Sequence, residues 1–278
     1  MDIDPAFWHN DFIKKLEEKR VIIGQVSPAD SIFKLKSINC KETGNVIFLN
    51  LLSLGVNYSP EALVKLKNDY AIQGATLIQL WEDVWNLRSV QVINRLMSLL
   101  GLNLQRVHGR QTTVISISQV EADHFMEQYH LQGGVKSRYR LALMAKGDIV
   151  AVATFSARRR MSLIAETYYS IELIRFASVS GLVVQGGLSK LIKHLINLLK
   201  PDDVMTYADL DWSAGAAYEK LGFTLVDTQP ASKIWVCRST GKRYFQHRLP
   251  SDFDSNPTGY TPVFNTGNLK YILYLNGR

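Results

Sequence analysis

Three short stretches between positions 169 and 223 carry the residues best suited to chemistry. The run YSIELIRFA sets Glu172 and Arg175 in an otherwise apolar context. A carboxylate there can accept a proton or position a nucleophile, and a guanidinium can hold an anion. Buried charges in a sheet are costly unless paired, so the two either pair with each other or look into a cleft. Residues three apart in a flat strand point to opposite faces, and a β-bulge would bring them onto one. Next, SVSGLVVQGGLSKL brings Gln185, Gly186, Gly187, Ser189 and Lys190 to the start of a helix. Free N–H groups and the positive end of the helix dipole make an anion site there, and glycine lets a phosphate approach the backbone. The same glycines serve a plain strand-to-helix turn equally well. Third, DVMTYADLDWSAGAAYEKLGF places Asp209 at the end of a strand. Ser213 is positioned to cap the following helix, Tyr218 lies inside it and Gly222 closes it.

The elements around these stretches follow a regular order. From position 112, TTVISI reads as a strand and Ser118 with Glu121 as a capping box before QVEADHFMEQYH. YRLALMA and IVAVATFS flank Lys-Gly-Asp, a hairpin signal. LSKLIKHLINLLK sets Leu188, Leu191, Ile192, Leu195, Ile196 and Leu199 on one helical face. The order β-α-β-β-β-α-β-α-β predicts an α/β (α+β) fold with a mixed sheet flanked by helices. Upstream, Ser59 and Pro60 start a helix, ATLIQLW reads as a buried strand, and a second helix after Asn86 is apolar at Val90, Ile93, Leu96, Met97 and Leu100. The polar stretch NLQRVHGRQTT marks a boundary, giving domains at 1–108 and 109–237, with a basic extension at 238–278 that packs on the second.

The chain has 278 residues and a formal charge of +7. A moderately basic balance makes polyanions, either nucleic acid or a phosphate-bearing cofactor, reasonable partners. No apolar run approaches the length of a membrane span and the N-terminus lacks a signal-peptide pattern, so the expected setting is cytoplasmic. Two cysteines exclude a disulfide framework and a Cys-based zinc site, and no metal is expected.

The layout from 112 to about 237 resembles the GNAT acyltransferase fold. SAGAAYEKLGF is similar to the family's late helix, whose Tyr protonates the leaving thiolate of coenzyme A. VVQGGLSKL stands where the pyrophosphate loop would be, although it departs from the usual Arg/Gln-x-x-Gly-x-Gly/Ala pattern. YHLQG, ELIRF, GGLSKL and TYADLDWSAGAAYEKLGF together resemble phage Mom-type DNA-modification proteins and the GNAT-like domain of phage homing-endonuclease-like proteins. GATLIQLWEDVW is similar to the last strand and acidic turn of a Vsr-like nuclease, which makes the N-terminal part a small, degenerate restriction-endonuclease-like α/β domain. NVIFLNLLS, where the first metal-binding acid would lie, contains none, so Glu82 and Asp83 are left alone and this half reads as an inactive relic.

The resemblance implies an acyltransferase that uses acetyl-CoA or another acyl-CoA and acts on an amino group, with the adenine of DNA as one acceptor. Glu172, Arg175, Asp209 and Tyr218 are then the catalytic candidates. Phe176, Ala177, Gln185, Gly186, Gly187, Ser189 and Lys190 are the cofactor-binding candidates. His130, Lys136, Arg138, Arg140, Arg158, Arg159 and Arg160 are the DNA-binding candidates, with Lys242, Arg243 and Arg248. Ordinary solvated loops account for the same charges. Two alternatives stay open. One is a non-catalytic nucleic-acid-binding module, which the altered pyrophosphate loop favours. The other is an N-acetyltransferase acting on a small amine or a protein.

Overall fold

The computed structural model describes residues 5–19, 21–28, 30–251 and 253–275. In chain order the elements are α1 (Pro5–Glu17), β1 (Ile22–Gln25), β2 (Lys34–Asn39), β3 (Val46–Leu52), α2 (Pro60–Ile72), β4 (Leu77–Trp81) and α3 (Glu82–Leu99). There follow β5 (Gln105–His108), β6 (Thr113–Ser116), α4 (Gln119–Tyr129), β7 (Tyr139–Ala145), β8 (Asp148–Phe155), β9 (Arg159–Arg160), β10 (Tyr169–Ser178), β11 (Leu182–Gln185) and α5 (Gly187–Leu199). The last are β12 (Asp203–Asp209), α6 (Ala216–Glu219), β13 (Thr224–Gln229), β14 (Lys233–Cys237), β15 (Arg243–Phe245), β16 (Tyr260–Phe264) and β17 (Asn268–Tyr274). No helix among the described residues is long and apolar enough to cross a membrane.

The chain gathers into two compact units, residues 1–101, 209–214 and 228–268 in unit 1 and the remainder in unit 2. In unit 1 a four-stranded sheet runs β1-β2-β3-β4, antiparallel except for the parallel β3–β4 pair. Helix α2 bridges that pair and starts where the sequence predicts, with Ser59 Oγ accepting from the Ala62 N–H and Pro60 in the first turn. All five residues of β4 are buried, which is why ATLIQLW is apolar without alternation. Helix α3 starts at Glu82, earlier than expected, and its dihedrals break at Arg88. The expected stripe lies beyond that break, and Ile93, Leu96 and Leu100 are buried while Val90 is exposed. Strands β15-β14-β16 make a second sheet, and Ile234, Val236 and Val263 share an apolar cluster with Leu52, Tyr58, Leu63 and Trp81. That shared burial assigns 228–268 to unit 1, where the sequence reading divides the same residues between a second domain and a tail.

Unit 2 is built on a sheet ordered β13-β17-β12-β10-β8-β7-β6, with β9 added to β10. The strands from β6 to β10 are antiparallel, and β10–β12 is parallel, so the sheet is mixed as expected. Lys146 and Gly147, with φ of 53° and 94°, make the two-residue turn between β7 and β8. The capping box on α4 is present, with Ser118 Oγ accepting from Glu121 N–H at 3.2 Å and Ser118 N–H donating to the Glu121 carboxylate at 2.8 Å. Helix α5 covers one face through Leu191, Ile192 and Leu195, against Leu143, Ala153, Phe155, Ile171 and Leu173. Helix α4 covers the other through Ala122, Phe125 and Met126, against Ala142, Val152 and Ala177. The alternation of strand residues thereby fixes which side chains stand on the α5 face and which on the α4 face.

Candidate active site of unit 2

The neighbours β10 and β12 separate part-way along. Their parallel register runs from Ser170↔Asp203 to Leu173↔Thr206 and stops, while β10 continues to Ser178 and β12 to Asp209. Beyond the last pair, β10 stays on β8 but slips register: Leu173 faces Phe155 and Arg175 faces Thr154, so Ile174 is an inserted residue. The closed end of this fork is held by side chains. Thr206 Oγ1 donates to the Leu173 carbonyl at 3.0 Å. Buried Asp203 accepts from Tyr168 Oη at 2.8 Å and from Ser170 Oγ. Burial, then the Asp203 carboxylate, pushes the Tyr168 phenol well above its ordinary range, which keeps it a donor.

The bulge decides the sides. Ile171 and Leu173 belong to the α5-face cluster, and past the bulge Phe176 packs there while Ala177 joins the α4 face. Glu172 and Arg175 therefore both stand on the α4 face, as only an inserted residue permits. Arg159 Nη2 lies 3.9 Å from the Glu172 carboxylate, and Arg175 Nε donates to the Gly133 carbonyl at 3.2 Å. On β12, Val204 and Ala208 belong to the α5-face cluster, so Tyr207 points to the α4 face one residue past the last pair. Tyr207 is a candidate the sequence reading missed. Alternation around Ala208 is the signal that marks it.

At the start of α5 the two glycines have different tasks. Gly186 is the N-cap at φ 73°, with nothing within 4 Å of where a Cβ would sit, and no side chain caps the helix. Gly187 is buried, and a Cβ there would come within 2.7 Å of Val184 Cγ1 and 2.9 Å of Leu143 Cδ1. Beside this terminus lies a cleft of about 410 Å³ lined by residues of α5 and of the turn at 109–111. Of the cofactor-binding candidates, Gln185, Gly186, Ser189 and Lys190 line it, together with Arg110, Lys193, His194 and Asn197. Lys193, His194 and Asn197 continue Lys190 at helical spacing, a polar stripe legible beside the apolar one. Lys190 Nζ donates to the Gly109 carbonyl at 3.0 Å and to the Thr112 carbonyl, so it ties the turn to the helix.

The other candidates fall as follows. Tyr218 is half-buried against the α5-face cluster, 5.7 Å between ring centroids from both Phe223 and Tyr271. Its helix is one turn long and is capped by Gly215, not Ser213. Gly215 sits at φ 78° against the Tyr271 ring, which leaves no room for a side chain there. Asp209 belongs to unit 1, where its carboxylate accepts from the Asp211 N–H at 3.0 Å, a turn at the strand end. His130 Nδ1 accepts from Gln132 N–H at 3.1 Å.

Several arginines expected on DNA are committed to protein groups. Arg140 donates to the carbonyls of Ile117 and Ser137 and to Gln119 Oε1. Arg158 lies over the Tyr169 ring and donates to the Leu199 carbonyl, and Arg160 donates to the Glu166 carbonyl. In unit 1, Arg243 grips buried Asp83 through two bonds of 2.6 and 3.0 Å. Lys136, Arg138, Lys242 and Arg248 are exposed. Among the described residues no group of three or more His, Cys, Asp or Glu could hold a metal ion.

No family model matches the chain, and no curated protein matches it. The chain is similar to solved acetyltransferase structures. A GNAT family acetyltransferase from Elizabethkingia anophelis with acetyl-CoA bound is 14% identical, with a TM-score of 0.35 over 59% of this chain and 99% of that one. The yncA protein of Salmonella typhimurium, solved with its cofactor acetyl-CoA, is 13% identical, with a TM-score of 0.36 over 60% and 96%. Spermidine N-acetyltransferase from Vibrio cholerae is 9% identical, with a TM-score of 0.36 over 59% and 94%.

Proposed function

We propose that unit 2 is an N-acyltransferase that takes its acyl group from acetyl-CoA or another acyl-CoA. The observation that carries this is the fork. Two parallel strands that stop pairing after Leu173 and Thr206 leave the edge of β10 beyond Leu173 unpaired with β12, and an extended chain of amides can use such an edge as a strand would. The pantetheine arm of coenzyme A is such a chain, and Phe176 and Ala177 are the backbone it would meet. The uncapped start of α5 and the cations Arg110 and Lys193 suit the phosphates at its other end, while Lys190 holds the turn at 109–112 against the helix. An acyl-CoA thioester supplies a carbonyl carbon that an amine can attack.

The protein's part is to orient and to move protons. The amine nitrogen forms the amide bond as the C–S bond breaks; its proton goes to a carboxylate, and the departing sulfur takes one from a phenol. Glu172 on the α4 face is suited to receive the first proton, and Tyr218 on the α5 side to supply the second. Fixed residues at the mouth, Arg175 and Tyr207, bear on the acceptor. Asp209 enters this scheme only as a turn-former at the end of β12.

An amino group of DNA is one acceptor within this reading. Exposed Lys136, Arg138, Lys242 and Arg248 support it, and the internal engagements of Arg140, Arg158 and Arg243 subtract from it. For unit 1 we infer a scaffold without nuclease chemistry. Asp83 is held by Arg243, the Glu82 carboxylate accepts from Leu54 N–H at 2.8 Å, and β3 offers Asn50 where an acid would be needed. Calorimetric titration with acetyl-CoA tests the main reading. Saturable binding that weakens at least tenfold in a double Arg110→Glu, Lys193→Glu variant is expected; no binding at millimolar ligand defeats it.

A further inference from the structure

The small sheet β15-β14-β16 of unit 1 has two faces of opposite character. Ile234 and Val236 point inward to the apolar cluster, so Lys233, Trp235 and Cys237 point outward. The antiparallel register sets Tyr244 opposite Trp235 and Tyr260 opposite Cys237, which brings both tyrosine rings to the outer face. Arg243, opposite Val236, turns inward and is neutralised by Asp83. Trp8, Trp81, Trp85 and Trp212 are buried, whereas Trp235 is partly open to solvent. Its ring is held in one orientation: Phe253 packs against it at 4.9 Å between centroids, and Trp235 Nε1 donates to Gln246 Oε1 at 3.0 Å. Ammonium groups stand over the outer rings. Lys233 Nζ lies 4.2 Å from the Trp235 centroid and Lys242 Nζ lies 5.2 Å from the Tyr244 centroid. Both lysines are exposed, and among the described residues neither has a carboxylate partner. From Thr228 to Ser251 the sequence holds Lys233, Arg238, Lys242, Arg243 and Arg248 and no Asp or Glu, and exposed Asp254 follows. Arg248, also exposed, ends the single turn that Gln246 begins. A cation over an exposed ring is weakly held, and a planar base stacks on the same ring more strongly. The displaced ammonium is then beside the phosphates that the base brings with it.

We propose that the outer face of β15-β14-β16 binds a single-stranded polynucleotide, with bases stacked on Trp235 and Tyr244 and phosphates on Lys233, Lys242 and Arg248. The cross-strand pair sets the two rings side by side, so each can take one base. A duplex keeps its bases stacked on one another and offers this face phosphates alone. An acidic polypeptide matches the charge and has no plane to lay on the rings. The proposal is independent of the acyltransferase reading, because every residue in it belongs to unit 1.

The test measures fluorescence anisotropy of labelled oligo(dT) and oligo(U) on the full chain, with a duplex of equal length and poly-glutamate as the contrasting arms. At least one single strand should bind saturably and tenfold or more tighter than either contrast, and the stronger of the two tells deoxyribose from ribose. Tryptophan emission should fall on binding, since a base reaches Trp235 while the other four rings are buried. Trp235→Leu should weaken the single strand about tenfold and remove that quenching, and Trp235→Phe should keep most of the affinity. Lys233→Gln with Lys242→Gln, two exposed changes that leave the packed rings in place, should lower the slope of log affinity against log salt by about 0.7 for each lysine. No binding at low salt, a duplex or poly-glutamate held as tightly as the single strand, or affinity and salt slope unchanged in these variants overturns the proposal.

Discussion

Replacing Gly186 and Gly187 by alanine, one at a time, should damage the protein in two different ways. At Gly186 the added methyl meets nothing within 4 Å, but the backbone is left-handed at φ 73°. An L-residue there costs about 1–2 kcal/mol, offset by about 0.5 kcal/mol from the less flexible unfolded chain. The net loss is about 1 kcal/mol, without steric disturbance of the sheet. At Gly187 the helix gains up to about 1 kcal/mol of propensity. Against that, the methyl would come within 2.7 Å of Val184 Cγ1 and 2.9 Å of Leu143 Cδ1. Overpacking of this kind costs about 1–3 kcal/mol and is relieved by lifting the start of α5 off β7. That movement displaces the N–H groups to which the proposed function assigns the phosphates. Gly181→Ala is the control, since Gly181 has φ 75°, open space and no place in the cleft lining. Denaturant melts followed by acetyl-CoA calorimetry should rank affinity as parent and Gly181→Ala above Gly186→Ala, with Gly187→Ala lowest. If Gly187→Ala binds as tightly as Gly181→Ala, the helix start is not what receives the phosphates.

Arg243→Met would leave Asp83, 3% exposed, as an uncompensated buried charge and should destabilise unit 1 by about 3–5 kcal/mol. Asp83→Asn added to it should recover most of that in the same melts, which a phosphate-binding Arg243 would not predict. Thr206→Val removes the bond that closes the fork at Leu173 and should cost about 1 kcal/mol, with a raised KM for acetyl-CoA. Asp211 is pushed up from 3.8 to about 7, by burial first and then by Asp209. Between those two values the folded protein holds a proton the unfolded chain has lost, so stability should fall as pH rises through the interval. Asp211→Asn should flatten that slope, and an unchanged profile would remove Asp211 as its source.

Much of unit 2 was legible because its signals are local. The Ser118–Glu121 box, the Lys146–Gly147 turn and the apolar stripe of α5 each lie within a few residues, and each formed where the sequence indicates. The bulge at Ile174 was conceivable but not readable, since register depends on which strand lies alongside. The allocation of 228–268 was hidden for the same reason: Val263 meets Leu52 and Trp81 only after the chain has folded. An arginine's partner is not encoded in its neighbours along the chain. Arg158 to Arg160 stand in an unbroken run, yet Arg158 closes the last turn of α5 and Arg160 a local loop. Arg110, which no motif marks, is in the cleft.

Strand β17 lies between β12 and β13, although some forty residues of unit 1 separate β13 from it in the chain. A ribosome therefore releases every other strand of this sheet before the one that fills its gap. Until then one flank of β12, a wall of the fork, is a bare edge open to pairing with another molecule. Cutting the chain after Asn268 would make that vulnerable condition permanent. Expressing residues 102–227 alone should accordingly give aggregates, whereas adding the 269–275 segment back in trans, as a peptide, offers a direct route to rescue.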